Sequence, residues 1–203
     1  MTSVITGDII KSKTQNNPEI WITLLKKALS HLTDDDAFWE LYRGDSFQIE
    51  LTDSHKSFIS AVYIKACVKM IKGMDVRLAI GVGKKSYQGN KVSESNGEVF
   101  VFSGETLETL KKDKQNLRIK TKDATLDEEL NLYFKLALTF MDNWTVNSAE
   151  IVKLSIENPN ALQHELATML GTKQDAVSKR QKRAGLEYIL ELDKMYKHKI
   201  SQL

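Results

Sequence analysis

The sequence predicts an α+β chain, with a sheet-and-helix part over residues 1–145 and a small all-helical part over residues 146–203. Three observations carry this expectation. Short apolar runs of strand character alternate with apolar residues at helical spacing, in the order β-α-β-β-α-β. Thr145-Val146-Asn147-Ser148 forms a polar break, after which every segment reads as helix. Only Pro18 and Pro159 interrupt the 203 residues, which favours long helices.

Taken in order, Val4 to Ile10 reads as a strand that ends at, or is interrupted by, Gly7-Asp8. Pro18 opens a helix through His31, with Ile20, Leu24, Leu25, Ala28, Leu29 and Leu32 at helical spacing. Phe38 to Leu51 reads as a hairpin turning at Arg43-Gly44-Asp45-Ser46, its second arm alternating apolar and polar residues. A helix follows from about Ser54 to Lys72 and stops at Gly73. Asp75 to Gly83 is the clearest strand, and Lys84 to Asn96 is polar and loop-like. Gly97 to Lys112 is ambiguous, because Val99-Phe100-Val101-Phe102 suggests strand while Leu107 and Leu110 suggest helix. A short strand over Leu117 to Thr121 precedes a long helix marked by Leu126, Leu130, Tyr133, Ala137, Phe140, Met141 and Trp144. Strands and helices in this order make a ferredoxin-like or palm-type sheet.

Composition narrows the function classes. The lone Cys67, among apolar neighbours, builds neither a disulfide nor a zinc site and reads as a core thiol. No apolar run approaches the roughly 18 residues of a membrane span, and Asp8 breaks any signal-like start, so a cytoplasmic protein is expected. The net charge of +2 is unevenly placed. Residues 1–145 hold 20 Lys/Arg against 20 Asp/Glu, while residues 146–203 hold 9 against 7. Five of those nine (Lys173, Lys179, Arg180, Lys182 and Arg183) fall within eleven positions, a local stripe suited to phosphates or to a solvated helix face.

That stripe belongs to a pattern of a helix-turn-helix over Gln163 to Ala184. Ala167 is small where two helices would touch, and Gly171, four residues on, tolerates the positive φ of a tight turn. Leu166, Leu170 and Val177 would form the shared core. The second helix would present Thr172, Lys173, Gln174, Ser178, Lys179, Arg180, Lys182 and Arg183 to duplex DNA, residue types that suit base edges and phosphates. The pattern departs from the usual one at Arg180 and Gln181, where an apolar residue is expected, and Ala184 and Leu186 are the candidates to replace it. The apolar residues Ile189, Leu190, Leu192 and Met195 of the last segment would cover this core or pair two protomers, and two-fold DNA readers are commonly homodimers.

Two aspartates stand in Gly-Asp pairs beside strands, Asp8 on the first strand and Asp45 at the hairpin tip. Side-by-side strands would let both approach one Mg²⁺, which normally accompanies a nucleotide triphosphate, with Lys11 and Lys13 near its phosphates. Gly-Asp is also ordinary turn chemistry. Gly81-Val82-Gly83-Lys84-Lys85-Ser86 has the wrong spacing for a phosphate-binding loop, and the four histidines lack ligand spacing.

Val4–Asp8, Gly44-Asp45-Ser46-Phe47, Val76–Gly83 and Gly97–Leu107 resemble, in order and spacing, the landmarks of class III nucleotidyl cyclase palm domains, whose strand-adjacent aspartates bind the metal pair. Thr6–Ile10, Tyr42–Gln48, Asp75–Gly81 and the terminal helix-turn-helix together resemble the SatD family over nearly the whole chain. This likeness implies a bacterial protein connected with stress physiology. The cyclase likeness implies an Asn and an Arg four residues apart after the Gly97-Glu98 landmark, yet Val101 and Glu105 stand there. A valine donates no hydrogen bond and a glutamate repels a triphosphate, so loss of cyclase catalysis is expected. The combined expectation is a DNA-binding transcriptional regulator whose cyclase-like palm part senses a nucleotide or mediates dimerisation. The alternatives are a metal-dependent nucleotidyl transferase or cyclase using Asp8 and Asp45, and a protein–protein adaptor.

Overall fold

A computed structural model describes residues 1–203 as an α+β fold built on one five-stranded mixed sheet. In chain order its main elements are β1 (Thr2–Ile10), α1 (Pro18–Leu32), β2 (Trp39–Tyr42), β3 (Ser46–Leu51), α2 (Ser57–Lys69) and β4 (Asp75–Gly83). A small ladder of β5 (Lys85–Tyr87) and β6 (Asn96–Gly97) leads into α3 (Glu98–Asp113), β7 (Leu117–Lys120) and α4 (Ala124–Met141). The tail is α5 (Val146–Glu157), α6 (Gln163–Met169), α7 (Gln174–Ala184) and α8 (Leu186–Ile200).

The sheet order is β2-β3-β1-β4-β7. β1 is antiparallel to both β3 and β4, β2 is antiparallel to β3, and β7 is parallel to β4. β1 runs through Gly7-Asp8 without a break. A Cβ on Gly7 would lie 2.5 Å from the Phe47 ring, so the residue is small because a cross-strand aromatic occupies its place.

Pleat alternation gives the sheet two unlike faces. Ile5 and Ile9 of β1, Phe47, Ile49 and Leu51 of β3, and Val76, Leu78 and Ile80 of β4 are buried in the main core. That core is shared with Trp21, Leu25 and Leu29 of α1, with α2 and with Leu130, Phe134 and Met141 of α4. The other face carries Thr6, Asp8, Gln48 and Arg77, and α3 lies against it, with Thr6 Oγ1 donating to Ser103 Oγ at 2.9 Å. α3 settles the ambiguity at residues 97–112. As a helix it turns Val99, Ser103, Thr106, Leu107 and Leu110 to the sheet and leaves Val101 exposed.

Capping and charge fix the layers. Asn17 accepts the Glu19 N–H at 3.0 Å and Pro18 occupies the first turn of α1. α2 begins three residues later than the sequence suggests, after a 3₁₀ turn at Ser54–Lys56, and twelve of its thirteen residues are buried. One of them is Lys65, with no exposed surface, whose ammonium lies 2.7 Å from Asp75 Oδ1 and 2.6 Å from Asp142 Oδ1. Lys69 completes the set with Asp75 Oδ2 at 3.1 Å and the Asp142 carbonyl at 2.7 Å. These four groups tie α2 to the start of β4 and the end of α4. At the outer edge of β7, the Asn131 side chain accepts the Ile119 N–H at 2.8 Å and donates to the Ile119 carbonyl at 2.9 Å.

The polar break at residues 145–148 is a helix cap, with Thr145 Oγ1 accepting the Ser148 N–H at 3.2 Å. It interrupts the chain but not the core. Tyr196 of α8 is fully buried against Phe58 and Phe134, and its hydroxyl donates to the Ser54 carbonyl at 3.0 Å. Trp144 Nε1 donates to the Ala184 carbonyl at 2.8 Å, holding the end of α7 to the end of α4. Cys67 is buried as expected, and desolvation pushes its thiol up to about 12, which keeps it protonated at neutral pH. No helix is long and apolar enough to cross a membrane.

α3 lies close over Gly81, where a Cβ would come 2.3 Å from the Val99 carbonyl oxygen and 2.7 Å from the Ser103 nitrogen. Gly81→Ala is therefore expected to destabilise the fold by about 3 kcal/mol, the upper end of the overpacking range, because backbone must move. Urea denaturation checks this, with a fall in the midpoint at unchanged slope.

Candidate nucleic-acid interface

The turn between α6 and α7 is built by backbone geometry. Gly171 takes φ +59°, its N–H donates to the Thr168 carbonyl at 3.1 Å, and the Thr172 N–H donates to the Ala167 carbonyl at 2.9 Å. This pair of bonds is the Schellman arrangement, and it satisfies carbonyls that the end of α6 would otherwise leave free. The Glu165 side chain accepts the Leu162 N–H at 2.6 Å and fixes the other end of α6. Leu166, Ala167 and Val177 are buried together, while Leu170 is half-buried.

α7 is short on apolar residues and is oriented by two polar ones. Arg180 Nη1 lies 2.9 Å from Glu150 Oε2 of α5. The Gln181 amide pairs with Gln163 of α6 at 2.8 Å and donates to Ser155 of α5 at 3.4 Å. These are the two positions where an apolar residue was expected, and hydrogen bonds to α5 and α6 hold the helix there instead. Ala184 and Leu186 are buried, as the sequence suggested.

Of the eight residues assigned to DNA contact, Lys173, Gln174, Ser178, Lys179, Lys182 and Arg183 are exposed together on and beside α7. Thr172 is half-buried in the turn. Arg180 does not join them, since its guanidinium points back to Glu150. Lys179 shares its charge with Asp175 at 2.8 Å, both side chains being exposed, so the pair is loosely held. Lys173, Lys182 and Arg183 are the cations of this surface that form no ion pair.

Asp8 and Asp45 each have partners within the chain. Asp8 Oδ2 is 3.1 Å from Arg77 Nη1 and 4.0 Å from Lys111 Nζ. Asp45 Oδ2 accepts from Ser12 Oγ at 2.7 Å, and its carbonyl accepts the Ile9 N–H at 2.9 Å. The cross-strand partner of Asp8 is Ser46, one residue past Asp45, so the pleat gives Asp8's face to Ser46. A shared hard cation needs both carboxylates turned to one point with oxygen ligands around it. A guanidinium and an ammonium beside Asp8, and separate partners for the two side chains, do not fit that arrangement. Lys11 takes φ +66° and lines a cavity of about 430 Å³ with Lys69, Lys72, Asp75 and Asp142, while Lys13 is exposed and outside it. Val101 and Glu105 are both exposed on α3.

The partners that decide these outcomes were not evident in the sequence. Glu150 lies thirty residues from Arg180, and only tertiary packing joins them. Arg77 is set across from Asp8 by the register of β1 on β4, which the sequence does not specify. Comparison of the chain with protein-family models, with curated proteins and with solved structures gave no match.

Removing the Arg180 guanidinium leaves Glu150 without its partner, which should cost about 1 kcal/mol for a partly exposed pair. Arg180→Ala should lower the denaturation midpoint, whereas Lys182→Ala should leave it unchanged. Equal effects from the two substitutions would contradict the inward placement of Arg180.

Proposed function

We propose that the chain binds duplex DNA through α7, as a cytoplasmic regulator with a helix-turn-helix formed by α6 and α7. The single observation that carries this reading is the division of labour along α7. Its inner face is held by Val177, Ala184, Arg180 and Gln181, while Ser178, Lys182 and Arg183 turn to solvent on its outer side and Lys173 and Gln174 stand exposed at its N-terminal end. A helix of only eleven residues with so little apolar surface is kept in place by its neighbours, which leaves its cations for phosphates and Gln174 for a base edge.

In this reading the sheet is a ferredoxin-like palm that serves as scaffold. In the same reading Asp8 serves the scaffold, paired with Arg77 at 3.1 Å and with Lys111 at 4.0 Å. The sheet-facing and tail helices share one core, so the palm fixes the angle at which α7 is presented.

Fluorescence anisotropy of a labelled duplex of about 25 base pairs tests the reading, beginning near 50 mM salt. Binding should weaken steeply with salt, the slope of log K against log salt lying at about −3.6 to −5.4 for about four to six phosphate contacts. Lys173→Glu, Lys182→Glu and Arg183→Glu combined should weaken binding at least about tenfold while leaving the fold intact. Absence of binding by the unaltered chain at low salt, or unchanged affinity in the triple variant, would overturn the proposal.

A further inference from the structure

α8 lies along α4 in the opposite direction. The Tyr188 ring is 6.4 Å from the Phe140 ring at one end, and Lys199 Nζ is 2.6 Å from Glu129 Oε2 at the other. Between these fixed ends, helical spacing places Leu132 and Leu136 of α4 across from Leu192 and Met195 of α8. The inner sides of both helices are spent in the core, through Leu130, Phe134 and Ala137 on α4 and Ile189, Tyr196 and Ile200 on α8. The outer sides of the two helices are bare. Leu132 is 55% exposed, Leu136 58%, Tyr188 65% and Met195 43%. Large apolar side chains gathered in one strip mark a surface that another surface covers.

The charges beside the strip say which surface. Along α8 the exposed acids Glu187 and Glu191 come first, and the exposed bases Lys194 and His198 follow. Asp193 and Lys197 already pair with each other at 2.5 Å and add no net sign. A helix face whose sign changes at its midpoint is complementary to its own antiparallel copy. A two-fold axis passing between residues 192 and 193 sets Glu191 against Lys194 and Glu187 against His198 of the second copy. The same operation brings the two apolar strips together as four antiparallel helices.

We propose that the α4–α8 face is the two-fold interface of a homodimer of this chain. The proposal stands on α4 and α8 and is independent of any role of α7.

Sedimentation velocity without nucleic acid, over about 5 to 100 µM chain and at low salt where charge pairing is least screened, tests it. The unaltered chain should run at twice the chain mass. Leu136→Glu with Met195→Glu should run at the chain mass with an unchanged circular dichroism spectrum and melting curve, since both side chains are exposed. Glu191→Lys alone and Lys194→Glu alone set like charges across the axis and should each weaken the dimer at least about tenfold. The two reversals combined should restore it to within about threefold of the original. A chain that stays at single mass throughout, a dimer indifferent to the single reversals, or a double reversal no stronger than either single one would each overturn the proposal. Because no DNA is present, these results leave the anisotropy test of α7 separate.

Discussion

β1 is hydrogen-bonded along both edges, to β3 over residues 3–8 and to β4 over residues 2–10, and all other layers rest on the two faces this creates. The register is what matters. Ile5 and Ile9 point into the helical core while Thr6 and Asp8 meet Ser103 and Arg77 on the other side. A slip of one residue would drive Asp8 into the apolar layer and strand Ile9 against α3. Phe47 over Gly7 and the Arg77–Asp8 pair oppose such a slip from the two neighbouring strands. The position of α7 follows from the same frame, since α5 packs on α2 and α2 packs on β1 and β4.

Much of this frame is visible in the residues themselves. Periodicity locates α1, β3, β4 and α4 within a few residues, and the first six strands and helices follow the β-α-β-β-α-β order. Local signals fail where distant groups decide the outcome. Val99-Phe100-Val101-Phe102 looks like a strand until Gly81 provides the backbone approach that a helix fills. Lys65 and Lys69 look like the solvated positions of a helix, yet Asp75 and Asp142, far apart in sequence, enclose them. At the α6–α7 turn the information is local, and Gly171 adopts the backbone conformation its position demands. At Arg180 it is not, since nothing near that residue announces Glu150.

Charge in this chain is spent in two ways. Lys65, Asp75, Asp142, Asp8 and Arg77 are matched inside or at the margin of the core, where they specify which helix meets which strand. Removing one member of the buried Lys65–Asp75–Asp142 set leaves a desolvated charge behind, a change that costs about 3–5 kcal/mol for a buried pair. Lys173, Lys182 and Arg183 at α7, and Glu187, Glu191 and Lys194 of α8, form no ion pair within the chain. The contrast separates structural electrostatics from the surfaces available to partners, and it does so without reference to residue type, since lysines fall in both groups.

Asn131 has a consequence beyond positioning α4. By giving its amide to both polar groups of Ile119, it occupies the outer margin of β7, where a free strand edge would otherwise template the addition of another chain. On the opposite margin β2 is only four residues long, too short to offer a long flat edge. Neither margin of the sheet therefore offers a long free edge for the addition of another strand.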